Sequence, residues 1–92
     1  MLFHVTVSHT PDLCPADNPA PVALMANEAH IKASGVTVVG SYIATPEHLM
    51  YFVLESDDYN SVVRFLRPLM RIGTPRVTPV QSFNDALGVL LG

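Results

Sequence analysis

The chain has 92 residues, a net charge of −3 and 49% hydrophobic residues, which together describe one small apolar-rich domain. Five basic residues leave no electrostatic footprint for nucleic acid, and one cysteine excludes both an internal disulfide and a CxxC motif. No apolar run approaches the roughly 18–20 residues needed to span a membrane, and charged residues, at 14%, are too few to coat the surface, so a homo-oligomer is expected to cover part of it.

The opening "MLFHVTVSH" has no basic stretch followed by a long apolar one, so no secretion signal is read and a cytoplasmic location is expected. Leu2 to His9 alternates, with Phe3, Val5 and Val7 on one side and His4, Thr6 and Ser8 on the other, as in a half-buried strand. The segment "VSHTPDLCPADNPAP" then places a histidine, the only cysteine and four prolines in one loop. Asn18 and Pro19 read as the cap and first position of a helix running through "APVALMANEAHIKAS", with Val22, Leu24, Met25 and Ile31 for a buried stripe. Gly35 is a natural left-handed stop.

Val36–Ala44 is β-branched and reads as a second strand; "TPEH" is turn chemistry, and "LMYFVLES" a third strand, so the two form a hairpin. Ser56 or Asp57 can cap a second helix whose apolar face is Tyr59, Val62, Val63, Leu66 and Met70, with Pro68 loosening its last turn. Arg76–Ser82 reads as a fourth strand, and Pro79 assigns it to a sheet edge or a bulge. The order β-α-β-β-α-β is the ferredoxin-like plan, an α+β fold with helices over one face of a four-stranded antiparallel sheet. Val38, Tyr42, Met50 and Phe52 are expected on the other face, which two copies would pack together. In "FNDALGVLL", Phe83, Ala86, Leu87, Leu90 and Leu91 form a helical stripe too short to stand alone, so residues 83–92 are read as a docking helix beside a domain at 1–82.

The element order and the stretch "VTVVGSYIATPEHLMYFVLESDDYNSVVRFL", with its acidic turn Glu55, Ser56, Asp57 and Asp58, resemble the dimeric α+β barrel superfamily over residues 2–82. It looks closest to small members related to antibiotic-monooxygenase and isomerase-type barrels. The resemblance implies a homodimer built through its sheets, with an interior pocket for a small apolar or aromatic ligand. Barrels of this kind include cofactor-free monooxygenases, isomerases, cyclases, haem-degrading enzymes and plain binders, so fold does not choose among them. The chain lacks tryptophan and the asparagine, tryptophan and histidine set of the haem-degrading members, and the "HTPDLCPADNP" loop is not a general feature of the superfamily.

Within that reading His4, flanked by Thr6 and Ser8, suits proton transfer in an enclosed cavity, or equally a histidine satisfied at a dimer seam. His9 serves as a pocket lip or a loop cap. Tyr42 and Tyr51 suit a pocket wall or an interface, and Arg76, with Thr78 on its face, suits a ligand carboxylate or a pair with Glu55. Thr6, His9, Tyr42 and Arg76 are the candidate ligand-binding set, and His4 the candidate catalytic residue. No cofactor is implied. The alternative is a zinc or copper site using His9 and Cys14, completed by His4, His30, His48 or a second subunit. Partial exposure is expected for His30, an exposed position for His48, and a solvated face for Arg64, Arg67 and Arg71. A third reading is an assembly protein whose C-terminal helix recruits a partner.

Overall fold

Strand alternation decides which side of the sheet is covered. In the computed structural model, which describes residues 1–92, β1 (Leu2–Ser8) buries Phe3, Val5 and Val7 and turns His4, Thr6 and Ser8 the other way. β1 is central: it pairs antiparallel with β3 (Leu49–Glu55) on one side and β4 (Thr74–Val80) on the other. β2 (Thr37–Ala44) lies beyond β3, so the order is β2-β3-β1-β4. This is the expected α+β fold of ferredoxin-like type, with a four-stranded antiparallel sheet. Helices α1 (Ala20–Ala23), α2 (Glu28–Ser34) and α3 (Tyr59–Leu66) complete the βαββαβ order, and α4 (Phe83–Leu91) follows it.

Register places Val5 opposite Phe52 and Val7 opposite Met50, and opposed residues share a face. Met50 and Phe52 are therefore core residues, 1% and 3% exposed, packed with Val62, Phe65, Leu66 and Leu69. Their expected place on the open face is corrected by this register. A bulge between Val38 and Gly40 also resets the alternation of β2, so Val38 turns toward the core while Tyr42 stays on the open face, 69% exposed. Across that face one row runs Tyr42, Tyr51, Thr6, Arg76, a residue from each strand.

Several boundaries differ from expectation for local reasons. The first helix is broken: a 3₁₀ turn, Leu24–Ala26, follows α1, and Asn27 is extended (φ −86°, ψ 119°), its side chain accepting from His30 N at 3.0 Å to cap α2. Asparagine's capping chemistry wins there over helix continuation. Asn18 caps nothing; its N–H donates to the Pro15 carbonyl at 3.1 Å. Asp58, rather than Ser56 or Asp57, caps α3 by accepting from Asn60 N at 2.9 Å. The buried side of α3 and of the 3₁₀ turn Arg67–Leu69 is Val62, Phe65, Leu66 and Leu69, while Tyr59, Val63 and Met70 are exposed. Pro68 sits in that tightened last turn, as expected. β1 stops at Ser8, before His9, and β4 begins at Thr74, an edge strand that accommodates Pro75 as well as Pro79.

Gly35 ends α2 in the left-handed region (φ 88°), its N–H donating to the Ile31 and Lys32 carbonyls at 3.3 and 3.2 Å. Ser82 caps α4 by accepting from Asp85 N at 3.1 Å, yet none of its nine residues is buried. No helix is long and apolar enough to cross a membrane.

Candidate metal centre

Three separate segments converge at one end of the sheet. β1 ends where Thr10-Pro11 begins a 3₁₀ turn, Pro11–Leu13, and Cys14 closes that turn with its N–H donating to the Pro11 carbonyl at 3.2 Å. Proline fits here because its missing N–H has no partner to lose at a turn start. The turn brings Cys14 back beside His9. From the other side comes the β2–β3 connection, a 3₁₀ turn at Thr45–Glu47 ending in His48.

His48 is the only non-glycine residue with positive φ (58°, ψ 41°). The left-handed conformation costs an ordinary residue about 1–2 kcal/mol. It carries the chain from the turn into β3, with the N–H of His48 donating to the Thr45 carbonyl at 3.2 Å. The His9 N–H donates in turn to the His48 carbonyl, also at 3.2 Å, one step beyond the last β1–β3 pair, Ser8 and Leu49. Gly73 backs the same strand end. A Cβ built there would lie 2.5 Å from the Ser8 carbonyl oxygen and 3.1 Å from Val7 Cγ1, so only glycine permits this approach.

The two histidine rings meet edge to face, centroids 5.0 Å apart, with His9 Nε2 and His48 Nδ1 at 3.2 Å. One donor atom each from His9, Cys14 and His48 lies within 4.8 Å of the other two, and all three residues are half-buried. Two imidazole nitrogens facing each other need one proton, or one cation, between them. Zinc held tetrahedrally at about 2.0–2.1 Å from nitrogen separates two imidazole donors by about 3.3 Å, close to the spacing here. His9 Nδ1 is sealed from solvent without a hydrogen-bond partner. Burial first, and the neighbouring His48 second, hold the His9 imidazole below its ordinary pKa of 6.5, which favours the neutral ring that a metal requires. Beside His9 and Cys14 lies a cavity of about 140 Å³ whose walls are Pro15, Ala16, Pro19, Val22, Ile43 and Thr45.

The other predicted site residues lie elsewhere. Thr6, Tyr42 and Arg76 share the open-face row with Tyr51, and His4 stands on the same face, between Val53 and Thr78. Arg76 does not pair with Glu55, which is engaged by the amino group of Met1 and lies near the far end of the sheet. His30 is half-buried, with Nε2–H donating to the Phe65 carbonyl at 2.9 Å and the ring stacked on Phe65, a structural role. Arg64, Arg67 and Arg71 are exposed. His48 was expected to be exposed but is half-buried against His9, because the turn twists its ring inward. The sequence signal for it was the pairing of β1 with β3: if Leu49 opposes Ser8, the preceding His48 must adjoin His9.

A family model described as a domain of unknown function (DUF3303) matches residues 1–92, so the chain belongs to that family. No curated protein and no solved structure matches the chain.

Proposed function

We propose that this DUF3303 member binds one transition-metal ion through His9, Cys14 and His48, with zinc the best fit and copper the competing ion. The observation that carries this reading is the convergence of a strand end, a proline-stiffened loop and a left-handed turn on one group of donors within 4.8 Å. A thiolate with two imidazoles is a donor set suited to zinc, and a trigonal His₂Cys set also suits copper. The prolines and the backbone hydrogen bonds fix the loop and turn, so little further ordering is needed to close around an ion. The reading is tested by elemental analysis with native mass spectrometry on protein purified without chelator or affinity tag. One zinc or copper per chain is expected in the wild type and none in Cys14→Ser.

A second reading has its own support. The row Tyr42, Tyr51, Thr6 and Arg76 presents two phenols, a hydroxyl and an unpaired guanidinium on a face that no helix covers. Such a row suits a small aromatic carboxylate held between two copies, with His4 one register step away for proton transfer. The exposed apolar helix α4 favours self-association. Screening aromatic acids by thermal shift, alongside sedimentation, tests this reading; binding lost in Arg76→Gln supports it, and a monomer that binds none opposes it.

A further inference from the structure

Resting on the metal-binding reading, we infer that the ion's fourth coordination position takes a small exogenous monoanionic donor seated in the apolar cavity beside His9 and Cys14. The chain supplies three donors, and no carboxylate or further histidine joins them. Zinc takes four, and sites with three protein ligands leave the fourth position to water or a substrate.

Charge selects the class of donor. A divalent ion with one thiolate and two neutral imidazoles keeps a residual charge of about +1. The cavity wall of Pro15, Ala16, Pro19, Val22, Ile43 and Thr45 carries no ionised side chain to offset it. In apolar surroundings an uncompensated charge is expensive, so a monoanion is preferred at that vertex over a neutral donor.

Size and lining select its body. A cavity of about 140 Å³ holds several water-sized groups, each about 30 Å³ of liquid, and its walls expose almost no polar surface. The donor that fits is hydroxide, or the thiolate or carboxylate of a molecule with a short hydrocarbon tail. The cavity is half open, with Ala16, Pro19 and Thr45 exposed at its rim, so a second charge on the tail either lies against apolar walls without a partner or pulls the tail out to the mouth, and both weaken binding. Three prolines, Pro11, Pro15 and Pro19, stiffen the loop that forms the rim, so the cavity is held ready for its ligand.

The test uses the full chain loaded with cobalt(II), whose visible bands report coordination. Azide, ethanethiol and 2-mercaptoethanesulfonate are titrated into wild type and Ala16→Phe, which adds an aromatic ring at an exposed residue of the cavity wall. Azide and ethanethiol are expected to shift the bands in the wild type, with ethanethiol at least about tenfold tighter than the sulfonate, because the second charge weakens binding. Ala16→Phe is expected to keep its cobalt and lose the response. A cobalt spectrum that no probe perturbs means that a fourth protein donor, from outside the group His9, Cys14 and His48, closes the site; it overturns this inference and leaves the metal reading intact. Equal binding of the two thiols overturns the apolar seat. Failure to take up cobalt at all removes both readings.

Discussion

His9 and His48 are joined twice: the His9 N–H donates to the His48 carbonyl at 3.2 Å, and the rings meet through Nε2 and Nδ1 at the same distance. The first contact is an extension of the β1–β3 ladder, and the second follows from it. Thirty-nine residues apart in the chain, the two rings are therefore aligned by sheet register, which makes the donor pair as rigid as the sheet. Cys14 is brought to them by the proline-stiffened loop, where its N–H donates to the Pro11 carbonyl.

Cys14→Ser should lower zinc affinity by more than the about 10–100-fold that loss of an outer-shell partner typically causes, because a thiolate donor is removed outright. Stability of the metal-free chain should change little, since Cys14 is half-buried and outside the core. Competition against a chromophoric chelator, with a urea titration in parallel, reads both quantities.

His48→Gly separates folding from binding. Glycine relieves the left-handed conformation at φ 58°, which costs other residues about 1–2 kcal/mol, and it offsets the lost ring contact with His9. The metal-free variant should melt within a few degrees of wild type while zinc uptake collapses. His48→Ala should lose zinc as well but melt lower than His48→Gly. If the two variants melt alike, the turn is not under the conformational demand described.

The depressed pKa of His9 sets a pH dependence for the metal-free protein. In the unfolded chain the imidazole titrates near 6.5, and in the folded chain it titrates lower, so between the two values the unfolded state binds more protons. Stability from this group is therefore complete above 6.5, falls as pH drops through 6.5 toward the lowered value, and stops falling below it. Urea midpoints between pH 8 and pH 5 should show this slope, and His9→Asn should flatten it.

Gly73→Ala should cost about 1–3 kcal/mol, because its Cβ would meet the Ser8 carbonyl at 2.5 Å and backbone cannot give way cheaply. The displaced end of β1 should also weaken zinc binding, a coupling that thermal melts with and without zinc would expose as a reduced metal-induced shift.

Much of the fold was legible because its signals are local. Phe3, Val5 and Val7 alternate, Gly35 stops a helix, and Pro79 marks an edge strand. What was not legible depends on register. Met50 and Phe52 look the same from sequence whichever face they occupy, and only their opposition to Val7 and Val5 assigns them to the core. The stripe of α3 was misplaced by the same ambiguity, since Val62 and Val63 are equally apolar while one is buried and the other exposed. His9 and Cys14 stood out as a metal-ligand pair because they share one loop. His48 did not, because its place beside His9 rests on a long-range ladder and on a left-handed turn that histidine adopts only occasionally.

The metal site is tested most directly by following the four histidine ring signals by NMR during zinc titration of the full chain. His9 and His48 should shift together and saturate at one equivalent, while His4, on the open sheet face, and His30, bonded to Phe65, stay unchanged. Shifts at His4 or His30 alone, or a uniform weak response of all four rings without saturation, would contradict a site built from His9, Cys14 and His48.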